Sequence, residues 1–512
     1  MKKVLIANRG EIAVRIMRTC RDLGISTVAV YSEGDREALH ARYADEALAI
    51  GPTPARLSYL NIRALVDAAR KSGADAIHPG YGFLSENAGF AEAVEDAGLV
   101  FIGPRPETLA LTGDKLAARR AAREAGLPVL PGPDHPVDRA ALAGWPLRQG
   151  PLADLRFPML VKAVAGGGGR GIRLVEDPET LPSVVAAARR EAAAAFGDGE
   201  VYLEPLVERA RHIEVQIVGD GAGRVLCLGE RECSVQRRRQ KLIEESPAPG
   251  LSSAQRTYLF EAAVQLAAAL RYRSLGTVEF LLDRAGAFHF IEVNPRIQVE
   301  HPVTEMVTGM DLVAEQLRLA AGQPLRYAQD EVSFNGAAIE ARVLAEDPTP
   351  LCGAGGVRGQ LSGAFLPTTG EITYLKEPGG PGIRVDSALF QGMQVTTDYD
   401  SLLAKVIAWG DSRAEALVRL RRALREFQIG GVVTDSGFLL QILESAPFVG
   451  GDVHTTFLDE FHPSRPLRVA ALESDVAAAA ALLAHRQRSR VQPAGEGASG
   501  GNWRMTAWRE QM

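Results

Sequence analysis

Two acidic positions lie where a short hairpin brings them together. Glu279-Phe280-Leu281-Leu282-Asp283 leads through Arg284–Ala287 into Phe288-His289-Phe290-Ile291-Glu292. With the turn centred on Ala285-Gly286, Glu279 falls directly opposite Glu292. Like charges facing each other across a sheet repel, and a shared divalent cation reverses that penalty. Asn294 lies two residues beyond Glu292 and shares its face. Two carboxylates and an amide are hard oxygen ligands suited to Mg2+ or Mn2+, with phosphate oxygens completing the shell. A solvated acidic face is the alternative, and the Phe and Leu residues around both glutamates weigh against it. Further on, Arg296, Gln298 and Glu300 put a cation, an amide and a possible base into one stretch bracketed by Pro295 and Pro302, which limit its freedom. That set suits an anionic substrate held by Arg296 and deprotonated by Glu300. An ordinary polar loop would carry the same residue types.

A second chemical feature is the run Gly166–Gly169 with Gly171, following Met159–Lys162. Consecutive glycines cost ordering entropy and suit a place where backbone N–H groups close over phosphates. No Gly-Lys-Ser/Thr follows, which excludes a Walker loop. A flexible linker is the competing reading; the strand-like flanks Met159–Lys162 and Ile172–Val175 argue against it. In Arg211–Ile217, His212, Glu214 and Gln216 share one face and Ile213, Val215 and Ile217 the other. Alone, this predicts a half-buried strand with a wet polar face.

The elements that must position these residues follow from spacing. Val4–Ala7, Thr27–Tyr31 and Ala76–His78 are short strands alternating with helices over Glu11–Leu23 and Asn61–Lys71. This is an open α/β unit with a parallel sheet, and no G-x-G-x-x-G follows its first strand. A second block opens with a helix capped by Thr112-Gly113-Asp114 and ended at Gly126. A Pro- and Gly-rich stretch, Pro128–Arg156, leads to the glycine cluster and then to antiparallel strands. A third block carries strands over Ala338–Val343 and Ser401–Ala408, a helix over Arg413–Glu426, and a Gly-rich segment Thr349–Ala364. The tail combines an Ala-rich helix with a flexible stretch.

With 512 residues the chain is too long for one core. Its formal net charge of -6 gives no reason to expect a nucleic-acid partner, so the basic run Arg237-Arg238-Arg239-Gln240-Lys241 needs a local explanation. No stretch of about 18 apolar residues exists to span a membrane. The Val4-Leu5-Ile6 core is too short for a signal sequence. Cys20, Cys227, Cys233 and Cys352 form neither a disulfide framework nor a C-x-x-C site, and a reducing cytoplasm fits them best.

Several segments in order resemble the biotin carboxylase family of the ATP-grasp superfamily over roughly residues 1–460. They are ANRGEIAVRI from Ala7, HPGYGFLSEN from His78, GDK from Gly113, KAVAGGGGRG from Lys162, and RHIEVQ from Arg211. ERECSVQRRRQKLIEESPAP from Glu230, EVNPRIQVEHPVTE from Glu292 and EARVLAEDP from Glu340 complete the set. The resemblance implies an α/β and α+β fold. Its parts are an N-terminal α/β domain (1–111), an ATP-grasp domain (112–333) with a mobile lid near 128–204, a C-terminal mixed β/α domain (334–460), and a tail (461–512). It implies that Lys115 and Lys162 hold ATP phosphates under the lid glycines Gly166, Gly167, Gly168 and Gly169. His212 and Gln236 touch the nucleotide, and the segment Glu204–Val207 holds adenine. Glu279, Glu292 and Asn294 match metal ligands, for two Mg2+ or Mn2+ ions. Lys241, Arg296, Gln298 and Val299 match a bicarbonate pocket, Glu300 the general base, and Arg342 the residue that steadies the biotin enolate. Tyr81 lies near the biotin region.

The implied reaction is ATP-dependent carboxylation of biotin through carboxyphosphate, in the first half-reaction of an acyl-CoA or related carboxylase. No Met-Lys-Met biotinylation hairpin occurs in the chain. The expected partners are therefore a biotin carrier on another polypeptide or beyond Met512, a carboxyltransferase that selects the final acceptor, and a second copy of the chain. Arg18 and the region near Gln391 are candidate dimer contacts. The tail from Ser499 through Trp503 to Trp508-Arg509 resembles the start of the linker region in acyl-CoA carboxylase α subunits. Three departures from the family pattern stand out: Arg239 for a usual His, Pro205 for a common Lys, and the insertion-like segment Thr349–Ala364. An ATP-grasp ligase joining an acyl phosphate to an amine is the nearest alternative, and an ATP-binding scaffold without turnover another. HPGYGFLSEN and RIQVEHPVTE argue against the first; the presence of Glu300, Lys241 and Arg342 argues against the second.

Overall fold

The computed structural model describes residues 1–137, 142, 157–165, 171–348, 365–463, 480, 482, 483 and 485. Gly166–Gly169, the 349–364 segment, Cys352 and nearly all of the tail lie outside the described residues. Contacts divide the chain into a large unit, Met1–Arg465, and a second, Pro466–Met512. In the second, Ala480, Leu482, Leu483 and His485 are helical. Among the described residues, no helix is long and apolar enough to cross a membrane.

The chain opens with β1 (Lys3–Ile6), α1 (Gly10–Asp22), β2 (Ser26–Ser32), β3 (Glu46–Gly51), α2 (Ile62–Ser72), β4 (Ala76–His78) and β5 (Val100–Phe101). The strands lie in the order β3-β2-β1-β4-β5 and every pairing is parallel. Val4 and Ile6 pack with Ile12, Ile16 and Cys20 of α1, whereas Leu5 packs with Leu65 and Ala69 of α2. Successive side chains thus serve two cores, as a parallel sheet covered on both faces requires. Helix α2 starts where the Asn61 side chain accepts from Ala64 N and stops at Gly73, whose φ is +66°.

Helix α3 (Lys115–Glu124) is capped by Asp114, which accepts from Leu116 N and Ala117 N. Thr112 was expected to help cap this helix. Instead its hydroxyl donates to Thr108 O at 2.7 Å, inside the preceding helix. A small antiparallel sheet follows, built from β6 (Met159–Ala163), β7 (Ile172–Val175) and β8 (Val201–Pro205) in the order β7-β6-β8. Pro205 is tolerated because β8 is an edge strand.

The largest sheet has eight strands: β9 (Arg211–Asp220), β10 (Val225–Arg237), β11 (Gln240–Ser246), β12 (Arg273–Leu282), β13 (Phe288–Asn294), β14 (Ala337–Leu344), β15 (Ile383–Ser387) and β16 (Leu402–Gly410). Their order is β13-β12-β9-β10-β11-β14-β16-β15, with every pair antiparallel. On one face Ile213, Val215, Ile217, Val278 and Phe280 pack against Ala118 and Ala122 of α3 and against Leu259, Ala263 and Leu266 of α4 (Ser253–Ala269). The other face departs from expectation. Glu214 and Gln216 are fully buried and His212 is 8% exposed, so this polar face is not wet. Helix α5 (His301–Thr308) packs against β10, β11, β14 and β16 and helps to close it off.

Two hairpins carry the site. Between β12 and β13, Asp283 N donates to Ala287 O at 2.9 Å and Gly286 N to Asp283 O at 3.1 Å, with Gly286 at φ +86°. The loop is therefore Arg284–Gly286, not a turn centred on Ala285-Gly286. Leu282 pairs with Phe288, and a register shift between Glu279 and Phe280 brings Glu279 opposite Glu292 after all. Between β10 and β11 the basic run makes a two-residue turn. Arg237 pairs with Gln240, and Arg238 and Arg239 both adopt positive φ, +50° and +64°, as a primed turn demands.

Candidate active site

The buried polar face is organised by register. Arg231 on β10 lies opposite Glu214 on β9, Glu214 opposite Glu279 on β12, and Glu279 opposite Glu292 on β13. Three carboxylates in adjacent strands repel unless cations are interleaved. Arg231, fully buried, donates to Glu214 Oε1 at 2.5 Å, to Gln216 and Thr304 at 2.8 Å each, and to Thr277 at 3.1 Å. The Lys241 ammonium reaches Glu214 at 2.5 Å, Glu279 at 3.1 Å and Glu300 at 2.6 Å. His212 Nε2 lies 2.9 Å from Glu279 Oε2, and Lys115, first residue of α3, lies 3.3 Å from Glu292. Burial works against the Lys241 ammonium, but Glu214, Glu279 and Glu300 outweigh it and hold its pKa well above the usual value.

Glu300 immediately precedes α5, at the end of the segment that follows β13, and is gripped on both oxygens. Lys241 holds Oε1, and Arg342 of β14 lies 3.1 Å from Oε2. Burial pushes its carboxyl up, but Lys241, then Arg342 and Arg231, hold it well below the usual carboxylate range. Arg342 is itself held by Glu244, whose Oε1 accepts from Nε at 2.6 Å. Beside Glu300, the fully buried Lys405 of β16 donates to Val299 O at 2.9 Å. Arg296 donates to Gln298 Oε1 at 2.6 Å, to Asn294 Oδ1 at 3.0 Å and to Glu86 at 2.6 Å. Gln298 in turn donates to Glu279 at 3.4 Å.

One chain of contacts thus brings together Lys115, Glu292, Glu279, His212, Lys241, Glu300, Arg342, Gln298, Arg296 and Asn294. Ligand atoms of His212, Glu214 and Glu279 lie within 4.8 Å of one another. Lys241 bonds both glutamates, so that group is an ion-pair centre. Glu279, Glu292 and Asn294 place three oxygen donors of the kind a hard divalent cation takes on one face of the hairpin, each bonded here to a cation (Lys241 and His212, Lys115, and Arg296), and Glu292 reaches the rim, its side chain 21% exposed.

Lys162 and Glu204 form a separate pair on the small sheet, where Arg119 also holds Glu204 at 2.6 Å. The Glu204 side chain is therefore engaged, and Val207 is half-buried. Gln236 is buried and pairs with Lys241 across the β10–β11 hairpin. The Tyr81 hydroxyl donates to Glu11, whose carboxylate also faces Lys405 at 3.2 Å. Arg239 donates to Ile172 O at 3.1 Å, tying the hairpin tip to β7. Arg18 and Gln391 are exposed.

Sequence reasoning missed Arg231, Glu244, Glu86, Lys405 and Glu11, and it saw Glu214 only as part of a polar strand face. The signal for Arg231 and Glu214 was present: both lie on alternating strands, and opposite charges placed opposite each other stabilise a sheet. Glu244 was hidden because β10 and β11 shift register near Val235. That shift lets Lys241 and Glu244, three residues apart, serve the same cluster.

The chain's matches to known families cover this architecture. Residues 1–109 match the family described as "Biotin carboxylase, N-terminal domain", and 340–460 match "Biotin carboxylase C-terminal domain". Residues 114–328 match "Carbamoyl-phosphate synthase L chain, ATP binding domain". The Biotin carboxylase of Nostoc sp. is 49% identical over 460 residues, covering 90% of this chain and 99% of that protein. The chain belongs to the biotin carboxylase family. Biotin carboxylase 1 of Bacillus subtilis is 47% identical over 463 residues, 90% of this chain and 99% of the relative. Among solved structures, the biotin carboxylase domain dimer of Hydrogenobacter thermophilus 2-oxoglutarate carboxylase, in complex with MgADP, ADP and bicarbonate, is 44% identical with a TM-score of 0.85. It covers 92% of this chain and 99% of that one. As a biotin carboxylase, the chain is an ATP-dependent ligase that forms a carbon–nitrogen bond.

Proposed function

We propose that this biotin carboxylase uses ATP and bicarbonate to carboxylate biotin borne by a separate carrier, the first half-reaction of a biotin-dependent carboxylase. The supporting observation is the double grip on Glu300 by Lys241 and Arg342, in a buried pocket shared with Arg296 and Gln298. Such a pocket suits a small planar anion with a removable proton.

In this reading Lys241, Arg296, Gln298 and the main chain of Val299 hold bicarbonate, and Glu300 removes its proton. As bicarbonate arrives, Lys241 and Arg296 turn part of their field toward it. Glu300, released from part of that field, becomes a stronger base. A bicarbonate oxygen attacks the γ-phosphorus of ATP, ADP departs, and the resulting carboxyphosphate breaks down to carbon dioxide and phosphate. The phosphate takes the N1′ proton of biotin, Arg342 steadies the enolate oxygen, and N1′ captures carbon dioxide. Lys115 and Lys162 hold the ATP phosphates beneath Gly166–Gly169. His212 and Gln236 touch the nucleotide, and Glu204–Val207 borders adenine. Glu279, Glu292 and Asn294 would hold Mg2+ or Mn2+, and the chemistry such an ion would supply is neutralisation of charge on the transferring phosphoryl group. Tyr81 borders biotin.

The domains are 1–111, 112–333 and 334–460, followed by the tail. The partners are a biotin carrier, a carboxyltransferase of an acyl-CoA or related carboxylase, and a second copy of the chain. The buried free thiols of Cys20, Cys227 and Cys233 suit a cytoplasmic protein. The test is ATP cleavage by the purified protein with Mg2+. We expect it to require bicarbonate and to be stimulated by biotin; cleavage indifferent to both rejects the proposal.

A further inference from the structure

In the eight-stranded sheet, β11 and β14 set Glu244 directly opposite Glu340, and both are fully buried. Like charges so placed repel, and burial removes the screening of solvent. Glu244 is met in part by a cation: its Oε1 accepts from Arg342 Nε at 2.6 Å. Its Oε2 and both oxygens of Glu340 have no hydrogen-bond partner among the described residues. The nearby cations are committed elsewhere. Arg342 also lies 3.1 Å from Glu300. Lys405, opposite Arg342 on β16, donates to Val299 O at 2.9 Å and faces Glu11 at 3.2 Å and Asp386 at 3.7 Å. The other titratable groups around the pair are Lys241 on β11, Glu300 before α5, and His301 and Glu305 on α5, which packs on β14. Glu305 is held by Arg15 and Arg384. A buried ionised carboxylate with neither a cation nor a donor is among the costliest groups a fold can hold. One proton between the two glutamates removes that cost. It cancels one of the like charges and makes a donor of one oxygen. Side chains directly opposite on neighbouring strands start about 4.5–5.5 Å apart at Cβ, close enough for two carboxyl groups to meet. In keeping with this, burial raises both carboxyls, Glu244 to about 7 and Glu340 well above the ordinary range.

We propose that Glu244 and Glu340 share one proton at neutral pH, carried on Glu340, and that Glu340 is thereby a positioning residue whose O–H fixes the Glu244 carboxylate and, through it, Arg342. The proton belongs on Glu340 because an anionic Glu244 is what holds the Arg342 guanidinium, whereas neither oxygen of Glu340 has a partner to lose. The positioning half rests on the reading of Arg342 as the residue that steadies the biotin enolate. The shared proton does not depend on that reading.

The experiment compares the full chain with Glu340→Gln and Glu340→Leu. Infrared difference spectra at neutral pH, wild type minus Glu340→Gln, read the proton directly. We expect a carboxylic-acid C=O band that the variant lacks and that shifts in D2O; a carboxylate band in its place overturns the proposal. Activity reads the positioning. In biotin-stimulated ATP cleavage, Glu340→Leu, which offers no donor, is expected to lower kcat/KM for biotin about tenfold, the size of one lost hydrogen bond to a charged group, with KM for ATP unchanged. Glu340→Gln, neutral and still a donor, is expected to stay within about twofold of wild type. Equal losses in the two variants would make Glu340 an anion, and an undiminished Glu340→Leu would leave it positioning nothing; either overturns the proposal. The pH dependence of unfolding gives a third readout, which stands even where Glu340→Leu does not fold. The unfolded glutamate loses its proton above about 4.3, whereas the buried pair keeps one. Wild type therefore loses stability relative to Glu340→Gln as pH rises, and the Tm advantage of the variant should widen between about pH 6 and 8. A gap that is constant or narrows overturns the proposal. If biotin fails to stimulate ATP cleavage by wild type, the reading of Arg342 fails and the positioning half falls with it, while the infrared band and the Tm gap still decide the shared proton.

Discussion

In the parallel sheet, Val4 and Ile6 point into one apolar cluster and Leu5 into another. In the eight-stranded sheet, Ile213 and Val215 point into an apolar cluster, whereas Glu214 and Gln216 on the opposite face are buried among charges. The first sheet is stabilised on both faces by removing apolar surface from water. The second spends one face on desolvated ions, which contribute little net stability even when paired. That face survives because no carboxylate in the row lacks a cation: Arg231, Lys241, His212 and Lys115 are threaded through Glu214, Glu279, Glu292 and Glu300. What the sheet gains is a set of charges fixed by their neighbours, which on the proposed reading is the condition for electrostatic stabilisation of a transferring phosphoryl group. One sheet is apolar on both faces; the other is apolar on one face and ionic on the other.

The sharpest way to separate the two is at Glu300. Glu300→Gln is expected to lower kcat for bicarbonate-dependent ATP cleavage by about 10²- to 10⁴-fold, the usual contribution of a positioned base. Thermal unfolding should show the variant still folded. Unimpaired turnover would remove Glu300 from the role of base.

Next in size is the charged row itself. Arg231→Met leaves Glu214 buried against a single remaining cation and is expected to destabilise the protein by about 3–5 kcal/mol in denaturant unfolding. Replacing both partners, Arg231→Met with Glu214→Leu, is expected to restore most of that stability and leave activity low, because Lys241 loses a carboxylate that positions it. Recovery of activity along with stability would show that the row is merely structural.

The matching change in the scaffold is Phe90→Ala. Phe90 is fully buried in the N-terminal core, edge-on to Phe101. We expect a loss of about 3–5 kcal/mol in denaturant unfolding, with KM for ATP and for bicarbonate unchanged in the folded fraction. A shift in either KM would blur the distinction between the sheets.

The smallest effect concerns pH. His40 is fully buried; its Nε2 lies 3.2 Å from Val30 O, and its Nδ1 accepts from Gly10 N at 3.4 Å. Both nitrogens are satisfied in the neutral ring, and burial lowers its pKa to about 4. The unfolded histidine titrates near 6.5. Below that value the unfolded state binds the proton and the folded state does not, so stability falls as pH drops from about 6.5 toward 4. The effect is about 3 kcal/mol. His40→Gln should flatten that part of the unfolding profile; an unchanged profile would contradict the assignment.

The two sheets also differ in how much of them the sequence reveals. The parallel sheet was legible because its strands are apolar runs and its helices carry their own stops, Asn61 at one end of α2 and Gly73 at the other. The Glu279–Glu292 pairing was legible too, though through a turn placed half a residue off and corrected by a bulge. The burial of His212, Glu214 and Gln216 was not. Alternation along β9 fixes which residues share a face, but not what covers it, and the cover comes from residues about ninety positions away in α5. Lys405 and Glu11 were invisible for the same reason. Lys405 is a lone charge in an apolar strand, Glu11 is one of several charges on α1, and they meet only across the whole chain.

The most direct test of the account follows the bicarbonate oxygen. If the polar face of the eight-stranded sheet directs bicarbonate onto ATP, the attacking oxygen stays on phosphorus when carboxyphosphate breaks down. Turnover with ¹⁸O-labelled bicarbonate, followed by mass spectrometry of the released phosphate, should then show one labelled oxygen per phosphate. Phosphate whose new oxygen derives from solvent water would contradict the account.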